Sequence, residues 1–165
     1  MKESWSYSSI VGILLYLSTN TCPDIAFAVS QVARFSTSPR QSHATTIKTI
    51  AQYLKRTANK GMIMKPTGKL QLECFVDADF AGLYCCEPDD EPNSVRSHTG
   101  YLICLGNCPL LWKSQLHMEI ALSTLEAEYA ALSYSMRVIL PLRCLLVETV
   151  ERLEMPLLIQ SLISA

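Results

Sequence analysis

Acidic residues are scarce where the chain begins. Residues 1–70 hold two, Glu3 and Asp24, against nine Lys and Arg, a net of +7. Residues 71–165 reverse this with thirteen acids against five bases, a net of −8, so the overall charge of −1 conceals a split. A basic half points to an anionic partner such as nucleic acid, and the acidic half to another task. Long apolar runs are missing as well. The longest, Ile10 to Leu17, covers eight residues and contains Gly12. A membrane-spanning helix takes about 20 apolar residues, so neither a transmembrane segment nor a membrane partner is expected. Lys2 ahead of that run imitates a secretory leader, but Glu3 and the nearby serines spoil the basic n-region. CxxC pairs are absent among the seven cysteines; Cys85 and Cys86 are adjacent, and Cys104 and Cys108 flank a turn. An odd number without zinc spacing reads as free thiols in a reducing compartment. The expected location is therefore intracellular, cytoplasm or nucleus, and not secreted. No internal repeat or low-complexity tract is visible.

The chain does have material for a core. It is 49% hydrophobic and 18% charged over 165 residues, enough for one ordinary domain or two small ones. The first 65 residues read as helices. Ile10, Ile13, Leu14 and Leu17 recur at helical spacing. "STNTCPD" breaks that helix, and Pro23 suits the first turn of the next. Ile25, Ala28, Val29, Val32 and Phe35 share one face of this second helix. Ser42 is placed as the N-cap of a third, with Ile47, Ile50, Ala51 and Leu54 inward and Gly61 at its end. Lys48, Lys55 and Arg56 fall outside the apolar stripe. A solvated face is the ordinary reading of such charges, and a nucleic-acid-binding surface the alternative.

Near Thr67 the period changes from 3.6 to 2. Leu72, Cys74 and Val76 alternate with Glu73, Phe75 and Asp77, a strand signal. Asp77 and Asp79 share a face if the strand reaches that far. They are a polar turn or half of a metal site. An acidic, proline-containing loop "EPDDEPNS" follows. Tyr101–Leu105 and Cys108–Lys113 then flank Gly106-Asn107, a two-residue hairpin turn of the Gly-first kind. Pro109 argues for an edge position or a bulge in the second arm. A long helix begins at "STLEAEYAAL", where Ser123 and Glu126 form a capping box. That gives Glu126 a structural task and leaves Glu128, about 200° around the helix, without one. Pro141 is expected to kink or split this helix.

The motifs "YSSIVGILLYLSTNTCPDIAFAVSQVARF", "HATTIKTIAQYLKRT", "VDADFAG", "RSHTGYLICLGNCPLLWKSQ" and "ALSTLEAEYAALS" together resemble the end of the Pol polyprotein of copia-type LTR retrotransposons. The likeness runs to about Leu153. It implies an α/β (α+β) fold. Residues 1–65 would be a helical reverse-transcriptase C-terminal segment, thumb and connection. Residues 70–165 would be a truncated ribonuclease H-like domain, an incomplete mixed sheet with a long helix. The family's ribonuclease H cleaves the RNA strand of RNA–DNA hybrids with two magnesium ions held by carboxylates. Asp77 matches its first catalytic aspartate and Glu128 its glutamate, so both are expected as catalytic and Mg2+-binding residues. Asp79 is read as a neighbour of that site. Implied partners are an RNA–DNA hybrid and the remainder of the Pol polyprotein.

The departures bear on activity. Cys22 stands where the family has Arg, Phe80 where it has Trp, and Leu125 where it has Thr. The family continues with two further acids; here nothing after Glu154 is acidic. The paired aspartates of the polymerase palm are missing too. The expectation is a remnant with an incomplete catalytic set. The alternative is a module that binds nucleic acid or a retroelement protein.

Overall fold

The computed structural model describes residues 5–67, 70–83 and 93–154. Cys85, Cys86, most of "EPDDEPNS" and the apolar stretch after Glu154 lie outside the described residues. The protein is a mixed α/β chain that divides into two compact units, Met1–Ile63 and Met64–Ala165.

The first unit is helical, with α1 (Tyr7–Asn20), a 3-10 turn (Pro23–Ile25), α2 (Ala26–Ala33) and α3 (Gln41–Thr57). Val11, Leu14, Ile25, Val29, Val32, Ile47 and Ile50 form its core. Pro23 opens the 3-10 turn at its first position, where its missing N–H leaves nothing unpaired. Four sequence expectations shift here. The inward face of α1 runs through Val11, Leu14 and Ser18, so Ile13 is 57% exposed. In α3 Ala44 is buried and Ala51 exposed, because the face is centred on Ile47 and Ile50. The N-cap of α3 is Arg40, not Ser42. His43 Nδ1 accepts the Arg40 N–H at 3.1 Å, the service a Glu at that position would render. The helix also stops at Thr57, with the Lys60 N–H closing on Thr57 O at 2.8 Å. Gly61 lies beyond and has no left-handed backbone to cap with.

The second unit carries β1 (Leu72–Asp79), β2 (His98–Leu105), β3 (Cys108–Leu116) and α4 (Thr124–Arg152). The three strands lie in the order β1-β2-β3 and are antiparallel throughout. The β2–β3 turn takes φ of 54° at Gly106 and 64° at Asn107. Two left-handed residues make a type I′ turn, where the sequence suggested the Gly-first II′ form. Asn tolerates that backbone, and its side chain is occupied. Asn107 Nδ2 donates to Thr67 O and Oγ1 at 3.2 and 3.1 Å. Pro109 sits on the edge strand next to a register shift at Ile103/Cys104, where its missing donor costs least.

Helix α4 has the predicted Ser123 cap, but the Glu126 carboxylate reaches the residue before the cap and not the cap's own N–H, so the capping box is only half made. Ser123 Oγ accepts the Glu126 N–H at 3.1 Å, and Glu126 Oε2 accepts the Leu122 N–H at 2.7 Å. Ala127, Ala131 and Ser135 are fully buried at helical spacing; such small side chains let a helix approach a sheet closely. Farther along, Val138, Leu142, Leu146 and Val150 pack with Leu72 and Ile103. Pro141 lies inside this helix without splitting it. An interior proline costs a helix about 3 kcal/mol, a term the packing on either side of it offsets. Among the described residues α4 is also long and apolar enough to cross a membrane, by length and composition alone. A count of uninterrupted apolar runs misses it because Arg137, Pro141 and Arg143 divide the stretch.

Candidate functional site

Strand β1 extends through Asp79, so Asp77 and Asp79 do share one face. The alternation is strict. Leu72, Cys74, Val76 and Ala78 point to the side covered by α4, where Cys74 is hydrogen-bonded to Ser135. Glu73, Phe75, Asp77 and Asp79 occupy the other side, and all four are exposed. The Asp79 carboxylate folds over Gly82, where any Cβ would collide with it. Ala81 between them holds a left-handed φ of 48°, so the strand end is a tight, strained turn. Glu128 is exposed on α4 next to buried Ala127. Among the described residues, no three His, Cys, Asp or Glu side chains gather closely enough to hold a metal ion.

The sheet face of the aspartates also holds residues the sequence did not single out. His98 is the direct cross-strand partner of Asp79, and Gly100 that of Asp77. His98 is buried, with Nε2 2.7 Å from Ser114 Oγ. Only the strand register brings these residues to the aspartates; nothing in their spacing along the chain announces it.

In the first unit, Lys48, Lys55 and Arg56 are all exposed on α3. Lys48 and Lys55 are two turns apart on one face, about 10 Å along the axis. Lys48 lies 6.0 Å over the Trp5 ring. Lys55 and Arg56 occupy the last turn, where cations also offset the negative end of the helix dipole. At the same end of the unit Asp24 accepts a hydrogen bond of 2.5 Å from Tyr53 and pushes that phenol's pKa up.

The chain is 35% identical over 133 residues to the retrovirus-related Pol polyprotein of transposon RE1 from Arabidopsis thaliana, covering 81% of its length. It is 38% identical over 125 residues to that of transposon TNT 1-94 from Nicotiana tabacum, covering 76%. The chain belongs to the copia-type retrotransposon Pol polyproteins. It spans 8% and 9% of the length of those two relatives. A third relative is of similar size. The secreted RxLR effector protein 161 of Plasmopara viticola is 35% identical over 127 residues, 77% of this chain and 84% of that one. No protein-family model and no solved structure matches the chain. In this copia-type Pol segment the strand-end aspartates, Glu128 and the α3 cations are thus placed on three separate elements.

Proposed function

We propose that this copia-type Pol segment derives from the junction of reverse transcriptase and ribonuclease H, and that it grips nucleic acid without cleaving it. The observation that carries the reading is the parity of β1. Asp77 stands on the sheet face opposite α4, the helix that bears Glu128. In-line hydrolysis of a phosphodiester needs two metal ions about 4 Å apart, held by a shared carboxylate set. Asp77 and Glu128 are the residues that would hold magnesium, but the donor set around them does not fit a two-ion site. Binding is assigned to Lys48, Lys55 and Arg56 in the basic half. The partner in this reading is an RNA–DNA hybrid, or the remainder of a Pol polyprotein, and no membrane is part of it. The compartment is intracellular, in keeping with free thiols at Cys22, Cys74, Cys104, Cys108 and Cys144.

Two measurements test it. A hybrid-cleavage assay with magnesium or manganese should give the same background for the native chain and Asp77→Asn. Cleavage that disappears in the variant would overturn the non-catalytic reading. A hybrid titration should show affinity falling steeply with salt, as phosphate contacts require. Binding that ignores salt, or survives alanine at Lys48, Lys55 and Arg56, would count against the assigned surface.

A further inference from the structure

The second unit is acidic, yet two of its cations converge on one tyrosine. Lys113 Nζ donates to Tyr134 Oη at 2.8 Å and lies 5.2 Å from the ring centroid. Arg137, one turn farther along α4, also acts on that phenol, and Gln115 is hydrogen-bonded to it. The Tyr134 pKa is held below its usual value, chiefly through the Lys113 hydrogen bond. Because the phenol oxygen already accepts from its neighbours, its own O–H is left over for another partner. Tyr134, Arg137 and Gln115 border a cavity of about 350 Å³ between the end of β3 and α4, lined also by Thr99, His117 and Ser133. The volume is at the lower end of the range for small-molecule sites, about 300–1,000 Å³.

The sign of the ligand follows from the donors. Arg137, Tyr134, Gln115 and Ser133 all present N–H or O–H groups, and one acid, Glu119, stands in the lining. The Lys113–Tyr134 contact explains why a lysine is there. It does not explain Arg137, which is exposed and makes no ion pair or hydrogen bond among the described residues. A guanidinium beside a phenol and an amide suits a tetrahedral oxyanion. We propose that this cleft binds a phosphate group through Arg137, Tyr134 and Gln115, with Lys113 holding the tyrosine in place. Two sources share that chemistry, a nucleic-acid backbone and a free nucleotide or phosphate ion. The choice of phosphate over other oxyanions rests on the nucleic-acid reading above, but the site is separate from Lys48, Lys55 and Arg56.

The test uses the full chain and three probes: inorganic phosphate, a nucleoside 5′-monophosphate and a short RNA–DNA hybrid. Ring resonances of His117 report the cleft by NMR. The expected result is a saturable shift with inorganic phosphate, about tenfold weaker binding in Arg137→Gln, the loss of one charge-assisted contact, and no change when Lys48, Lys55 and Arg56 become alanine. Far-UV circular dichroism of Arg137→Gln should be native, since the side chain is exposed. Arg137→Lys should fall between, because lysine keeps the charge but loses the fork. Equal affinity in native chain and Arg137→Gln, or no His117 response to phosphate, overturns the inference. Hybrid binding that persists without that response sinks the cleft and leaves the nucleic-acid reading intact. Phosphate binding without hybrid affinity does the reverse. A hybrid much tighter than the mononucleotide identifies the backbone as the source; equal affinities identify the free phosphate group.

Discussion

Burial lowers the pKa of the His117 imidazole, and its Nε2 is in contact with the Thr99 hydroxyl. The unfolded chain takes up this proton near pH 6.5 and the folded chain only below that. Stability from this group is therefore fully present above about pH 6.5 and is lost as the pH falls from there toward the folded-state value. Urea midpoints at pH 7.5 and 5.5 should differ more for the native chain than for His117→Gln. Equal differences would show that His117 does not contribute to acid sensitivity. Such a residue could not be read from the sequence, where His117 is one of three histidines without a motif. Its neighbour Thr99 is 18 positions away and becomes a neighbour only through the β2–β3 register. The Ser123 cap could be read, because it is a contact with the Glu126 N–H three residues on and needs no tertiary partner.

Elements behave the same way. The strand over 72–79 and the hairpin around Gly106-Asn107 follow from alternation and turn residues, which are local. Which face of a helix turns inward is decided by what packs against it, and that is why Ile13 and Ala51 point outward although both fit an apolar stripe. The Asp77 motif was legible as a motif, but its side of the sheet depended on where α4 came to rest. Pro141 is the clearest case of tertiary override. Its ring removes a backbone hydrogen bond from α4, yet the helix runs on for eleven residues to Arg152. Pro141→Ala restores that bond at an exposed position and should raise stability by about 1–3 kcal/mol, read as a higher thermal midpoint. A lower midpoint would mean that a bend at this proline is required to seat both halves of α4 on the sheet.

At the scale of the molecule, the two compact units carry opposite charge. Residues 1–63 hold seven bases and two acids, a net of +5, and residues 64–165 hold seven bases and thirteen acids, a net of −6. Unlike charges on separate molecules attract over about 10 Å at 0.1 M salt and over about 30 Å at 0.01 M. The apparent mass by light scattering should therefore rise at low ionic strength and return to that of one chain near physiological salt. A mass independent of salt would rule out charge-driven association. The paired left-handed residues at Gly106 and Asn107 have a different consequence, for the order in which the second unit assembles. A hairpin closed by two residues is a local event of about 1–10 μs. Pairing β1 with β2 must first bring together strand ends 19 residues apart in sequence, Asp79 and His98, at greater entropic cost. The β2–β3 hairpin should thus be formed in the folding transition state while β1 and α4 are still docking. Gly106→Ala, which strains the left-handed turn at φ 54° and leaves the Asn107 side chain in place, should slow folding several-fold and leave the unfolding rate nearly unchanged. A chevron whose unfolding arm shifts instead would place the hairpin late, as a template closed by β1 and not the one on which β1 is laid.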